Sequence, residues 1–358
     1  MSISNNLHQS LVVLVFLLMF TCFFPLQAFG ETPKNDDVIY VDDDAVPPYH
    51  GTIEHPYKKI REGIDASSDG DTVFVFNGIY NEALIEYSHV RVDKKINVVG
   101  EDKHNTIING TGVQRVIRIV SDKVNISGFT IQNGGNPNKS HFGMGIEVQR
   151  NIENVRIYDN IIKQNMIGLE VGFGGYSSYI FIYENEISEN YIGFEFSAVN
   201  SEIYRNIITK NEQGLIIGDE GCSVYNNIIS DNSIGVELWD KLHIISNNQI
   251  SDNDIGLRIC NTQRSEISFN NFIDNDLHTQ VFRYLPIILS PLSSVYRLKW
   301  RNNYWDNWKM FPKPIIGIEI ICIHLLFGGG VVEIPIAIFP YIQFDWRPAK
   351  EPHDIDQL

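Results

Sequence analysis

The chain has 358 residues, 43% of them hydrophobic and 20% charged, which is enough apolar material for a large buried core. A formal net charge of −16, from 44 acidic against 28 basic residues, excludes sequence-independent binding of nucleic acid, because that requires a basic surface. Length alone suggests two domains, unless the chain is a solenoid whose core grows in one dimension.

The first thirty residues read as a separate object. Leu11 to Phe20 is an unbroken apolar run, extended by Thr21-Cys22-Phe23-Phe24, then Pro25 and the small-residue site Ala28-Phe29-Gly30. The run is shorter than the ~20 apolar residues that span a bilayer. It is therefore expected to be a secretory signal cleaved after Gly30, giving a secreted, periplasmic or cell-surface protein with no stable membrane span. No Lys or Arg precedes Leu11, so an uncleaved anchor stands as the alternative. Cleavage leaves Cys222, Cys260 and Cys322, an odd number that rules out complete pairing within one chain.

Residues 31–70 are expected to form an N-terminal cap. Within it Ile60 and Ile64 have helical spacing, and a helix over 57–67 would cover the open end of a stack. Asp71–Phe76, Ile96–Gly100 and Arg115–Ile119 look like early, irregular rungs. Asn109, Asn125 and Asn138 each open an Asn-x-Ser/Thr sequon, a glycosylation acceptor in a host that modifies exported proteins.

The middle of the chain repeats. Asn160, Asn185, Asn206, Asn227, Asn248 and Asn270 are separated by 25, 21, 21, 21 and 22 residues, and five positions after each comes another Asn. Ile or Val stands three before each anchor, and Ile or Phe two after. Gly168, Gly193, Gly214, Gly235 and Gly256 lie eight after, and His278 breaks that column. Apolar residues follow at +9 and +11. A unit of about 21 residues holds three short strands and three turns, one complete coil. Stacked coils pair as parallel strands, so equal positions lie over one another and the inward columns must be apolar. The Asn columns are expected to adopt left-handed backbone and to bond to their copies above and below. The Gly column is expected to supply a turn with positive φ.

The fold class read from this pattern is all-β, a right-handed parallel β-helix of roughly ten rungs over 71–284. It has a short N-terminal helical cap and an irregular C-terminal cap over 285–358. In that last segment Ile315–Phe339 is very apolar but interrupted, and a strand pair covering the end is expected in preference to a transmembrane span.

The columns Asn-x-Ile-x-x-Asn-x-x-Gly-Φ-x-Φ, over roughly residues 38–281, resemble the parallel β-helix repeat of NosD-like and carbohydrate-binding/sugar-hydrolase (CASH) proteins, within the pectate-lyase-like superfold. The N-terminal Val38–Asp44 and the tail segments Asn303–Asp306 and Phe344–Ala349 resemble the opening and closing segments of exported members. The resemblance implies the fold. For function it implies a carbohydrate-related role, or in the NosD-like case delivery of copper to a reductase. Copper handling favours clustered Met, Cys or His, and none is visible here.

Chemistry is expected on the outward position between the two inward columns of the third strand, which reads Glu147, Glu170, Glu195, Ile216, Glu237 and Arg258. Rungs lie ~4.8 Å apart, so Glu147, Glu170 and Glu195 would form a line of like charge. Such a line needs solvation, pairing or a cation, and Ca²⁺ is the cation that suits it. The loops after this strand carry Phe173, Tyr176, Asp219, Glu220, Trp239, Asp240 and Lys241, aromatics and carboxylates that suit a glycan. The leading reading is a glycan-binding surface or secreted protein. The rivals are a polysaccharide lyase or glycoside hydrolase using Glu170, Glu195, Asp240, Lys241 or Arg258, and an inert scaffold or adhesin. Convergence of Glu170, Glu195 and Asp240 in one cleft would favour the enzyme.

Overall fold

The computed structural model describes residues 37–81, 88–135, 143–172, 174–286, 298–308, 310, 312–327 and 330–355. The expected secretory signal with its expected cleavage site, Asn138 and Phe173 lie outside the described residues.

The described chain winds as a right-handed parallel β-helix with three strands per coil. The first stack begins with Val38–Val41, which pairs in parallel with Thr72–Val75, and runs through Glu153–Tyr158 to Lys299–Arg301. The second is a ten-stranded sheet from Gly78–Tyr80 to Tyr304–Trp305. The third runs from Ser88–Val92 through Ile167–Val171 to Lys313–Phe327. The coil therefore extends beyond both boundaries expected from the repeat, since irregular rungs at each end still stack. Gly330–Asp345 turns back antiparallel on Lys313–Phe327 and closes the third stack, so the apolar C-terminal segment is a strand pair. Among the described residues no helix is long and apolar enough to cross a membrane.

The one described helix is Ile60–Ala66, whose Ile60, Gly63 and Ile64 are buried at the N-terminal end of the coil. It passes so close to the first strands that a Cβ on Gly63 would lie 2.7 Å from Val41 Cγ2. Its last turn leaves carbonyls without intrahelical partners. Lys94 Nζ takes that role, donating to Ile64 O, Asp65 O and Ser67 O at 2.7–2.8 Å.

The core is made of the expected columns. Ile157, Ile182, Ile203, Val224, Ile245 and Ile267 fill it from the first stack, and Ile162 to Ile250, then Phe272 and Trp305, from the second. Leu169, Phe194, Leu215, Val236 and Leu257 fill it from the third. Cys222 and Cys260 are free and buried.

Two expectations about the turns need correcting. The left-handed residue is the one before each anchor, as in Asp159 (φ 51), Glu184 (φ 57), Arg205 (φ 54) and Asn226 (φ 55), and not the Asn itself. The Gly column, Gly168 to Gly256, has no positive φ. Its glycines are required by close approach instead. A Cβ on Gly193, Gly214 or Gly235 would sit 2.4–2.7 Å from the carbonyl oxygen of the glycine one rung on.

The Asn ladders hold the turns. The backbone N–H and Nδ2 of Asn206 both donate to Asn227 Oδ1, at 2.9 and 3.0 Å, and Asn227 repeats this toward Asn248. Every step hands its donors toward the C-terminus, so each ladder must end on a group that only accepts. The first passes through Asn270 and Asn303 to the buried carboxylate of Asp345, which also accepts from Trp305 Nε1. The second passes from Asn275 Nδ2 to His278 Nδ1, and His278 Nε2 lies 2.7 Å from Asp306 Oδ1. These contacts assign neutral His278 as the Nε2–H tautomer. Burial holds its pKa below the usual histidine range against the opposing pull of Asp306.

Candidate functional site

The outward row of the third stack lies in the expected register. Arg91, Arg118, Glu147, Glu170, Glu195, Ile216, Glu237, Arg258 and Gln280 pair rung upon rung. Parallel pairing forces this, because each of these side chains lies between inward neighbours such as Leu169 and Val171. Three positions earlier a second outward column reads Arg115, Met144, Ile167 and Ile192.

A cleft of about 620 Å³ lies over these two columns. Glu147, Glu170 and Glu195 line it together with Met144, Ile167 and Ile192, and Arg115, Val148, Gln149 and Arg150 complete the lining. Glu147 is almost buried. Its Oε2 lies 2.5 Å from Arg115 Nε and 2.9 Å from Arg118 Nε, although neither N–H points along a hydrogen-bond line. Glu170 forms no ion pair among the described residues, and Arg115 opposes its shift only as the smallest of the acting charges. Its burial, then the neighbouring charges of Glu195 and Glu147, push its pKa up to about 7. Burial raises Glu195 as well. The cleft thus offers one carboxyl close to half-protonated at neutral pH, a second carboxylate on the next rung and a guanidinium beside them.

The three-carboxylate Ca²⁺ set expected from the row is not open as a set, because Glu147 is engaged with two arginines. Among the described residues no group of three or more His, Cys, Asp or Glu side chains is placed to hold a metal ion.

The expected convergence is partial. Glu170 and Glu195 share the cleft, but Asp240 and Lys241 belong to a turn several rungs further on and do not line it. There Asp240 Oδ2 accepts the backbone N–H of Asp219 at 3.1 Å, and Lys241 Nζ pairs with Glu220 at 2.6 Å. Burial, then Asp240 and Glu220, raises the Asp219 pKa. Arg258 pairs with Glu237 at 3.2 Å and donates to Gln280. Trp239 folds back to donate from Nε1 to Glu237, whereas Tyr176 is 88% exposed. Tyr176 stands next to the cleft rim, for Gly175 packs against the stem of Arg150.

Of the sequons, Asn125 lies within a strand and its Nδ2, the atom a glycan would take, donates to Asn97 at 2.6 Å. Asn109 accepts from Asn133 Nδ2. The reading of the columns missed Arg115 and Arg118, which precede the regular repeat. It also missed the stacked rings of Tyr158, Tyr183, Tyr204 and Tyr225, whose centroids lie 4.9–5.1 Å apart. That tyrosine column stands two positions before the first four Asn anchors, giving way to Ser246 and Ser268, so its spacing was a usable signal.

No family model matches the chain. Among proteins of known sequence, the uncharacterized protein YwoF of Bacillus subtilis (strain 168) is 28% identical over 148 residues. The match covers 38% of this chain and 31% of YwoF, so the chain matches about a third of that relative's length. Among solved structures, the pectate lyase Pel9A aligns with a TM-score of 0.52 at 13% identity, covering 76% of this chain and 81% of that one. The GH136 lacto-N-biosidase from Eubacterium ramulus also aligns with a TM-score of 0.52, at 11% identity, covering 75% and 60%. These likenesses establish the pectate-lyase-like β-helix fold.

Proposed function

We propose that the chain is an exported carbohydrate-binding β-helix protein whose cleft over the third stack takes a segment of a glycan, including cell-envelope polysaccharide. The observation that carries this reading is the pairing of two unlike walls in one cleft. Ile192, with the edges of the buried Met144 and Ile167 beneath it, offers an apolar patch to the C–H face of a sugar ring, and Glu170, Glu195 and Gln149 offer acceptors and an amide to its hydroxyls. At 13% and 11% identity, the likeness to the pectate lyase Pel9A and to the lacto-N-biosidase matches no site residue of this chain.

A second reading, cleavage of a glycosidic bond, is favoured by one specific observation. Glu170 keeps a proton up to about pH 7 beside Glu195. Glu170 and Glu195 are register partners on adjacent rungs, whose backbones lie roughly 5 Å apart, a spacing compatible with the carboxyl pair of retaining glycosidases. In that reading Glu170 protonates the leaving oxygen and Glu195 attacks the anomeric carbon.

The test is a glycan array probed with and without Ca²⁺, followed by a reducing-end assay on every hit. Binding that drops about tenfold in Glu195→Ala, with no release of reducing ends, supports the binding protein. Release that falls at least about a hundredfold in Glu170→Gln supports the hydrolase. A chain that binds no glycan on the array overturns both.

A further inference from the structure

Several rungs beyond the cleft, a separate cavity of about 600 Å³ opens where Lys299–Arg301 meets the closing strand Gly330–Asp345. Its two walls differ in kind. On one, Lys299 and Arg301 face outward on either side of the inward Trp300. Glu266, directly beneath Lys299 in register, pairs with Arg301 at 2.6 Å and leaves Lys299 Nζ 4.0 Å away and largely exposed. This wall therefore carries a net positive charge in a chain whose total is −16.

The facing wall is aromatic. Phe344 and Trp346 lie 5.2 Å apart at 46°, an angled pair that leaves ring faces open, and Trp346 is 59% exposed. Ile342 continues the same surface. Both walls are held in place. Trp300 Nε1 donates across the cavity floor to Gln343 Oε1 at 3.1 Å. Asp345, between the two aromatics, is the buried terminus of the first Asn ladder and accepts the backbone N–H of Arg347. A rigid, exposed indole loses little conformational freedom on binding. Such a ring stacks on the C–H face of a pyranose, and an ammonium opposite it recognises a carboxylate on that same sugar.

We propose that this cavity binds an acidic pyranose, a uronate unit of a glycan, as a site separate from the cleft. The charge of the two places is opposite, so each selects a different sugar. The cleft presents Glu170 and Glu195, and the cavity presents Lys299.

The test titrates tetragalacturonate and cellotetraose into the full chain, followed by tryptophan fluorescence and calorimetry. Tetragalacturonate is expected to bind and quench the fluorescence, cellotetraose to bind at least about tenfold more weakly, and added salt to weaken the acidic tetramer. Trp346→Ala and Lys299→Glu are each expected to weaken tetragalacturonate by about tenfold or more, with an unchanged thermal midpoint showing that the fold is intact. Glu170→Gln is expected to leave this binding as it is, whatever it does to the cleft. Equal binding of both tetramers, no binding of tetragalacturonate at millimolar concentration, or full binding by Trp346→Ala overturns the proposal. So does loss of binding in Glu170→Gln alone, which would move the ligand to the cleft.

Discussion

Two sides of the same coil are built by one repeat and obey different rules. On the side of the Asn turns, Asn185, Asn206, Asn227 and Asn248 recur without exception, each at most 0% exposed and each bonded to the next. On the outward row of the third stack the residue type shifts along the coil, from Arg118 through Glu147, Glu170 and Glu195 to Ile216, Glu237 and Arg258. The difference lies in what else each side chain could bond to. A buried turn has no water to fall back on, so its polar backbone groups need the same partner at every rung. An outward side chain reaches solvent or a charged neighbour in its own row, as Glu147 reaches Arg118 and Glu237 reaches Arg258, so the row keeps its register while its chemistry varies.

The largest expected effect breaks the first side. Asn227→Ala removes the acceptor of two N–H groups of Asn206 and the donor to Ile203 O, Tyr225 O and Asn248 Oδ1. Stranded buried groups cost roughly 1–3 kcal/mol each, so a loss of about 3 kcal/mol or more is expected from chemical denaturation. The same truncation at Glu195 is expected to change stability by less than about 1 kcal/mol. Equal losses would erase the contrast.

A smaller effect sharpens the second side. The Glu170 pKa is raised from 4.5 to about 7 by burial and then by Glu195 and Glu147. A raised carboxyl means that the folded chain holds a proton the unfolded chain has released. Its contribution to stability is complete below about pH 4.5 and is lost as the pH rises through about 7. The thermal midpoint of the native chain is therefore expected to fall across that window more steeply than that of Glu170→Gln. Parallel pH profiles would show that the cleft does not perturb this group. The smallest effect is at the loop pair Lys241–Glu220, whose side chains are well exposed. Glu220→Gln is expected to change stability by no more than about 1 kcal/mol in the same denaturation experiment.

Much of this molecule was legible in the sequence where periodicity was strict. The Ile columns, both Asn ladders and the register of Glu147, Glu170 and Glu195 all follow from counting, since stacking makes equal positions neighbours. Counting could not separate a glycine needed for its φ from one needed for lack of a Cβ, and Gly214 is of the second kind. It could not pair Arg115 with Glu147, because rung length is irregular before Glu153 and the columns lose their alignment there. It grouped Asp240 with Glu170 because loops after the third strand look alike in sequence, although Asp240 lies several rungs away. Nor did it find Asp345, whose role as ladder terminus depends on a hairpin that returns to the last rung.

The one-way ladders also have an evolutionary arithmetic. Since each rung asks of the next only what it received from the one before, a whole unit of 21 residues could be gained or lost mid-coil without altering either end. Each such event would shift the cavity at Trp346 relative to the cleft at Glu170 by one strand spacing, about 4.8 Å. The coil is then a ruler graduated in single rungs, on which duplication and deletion set the distance between two binding places while leaving both intact.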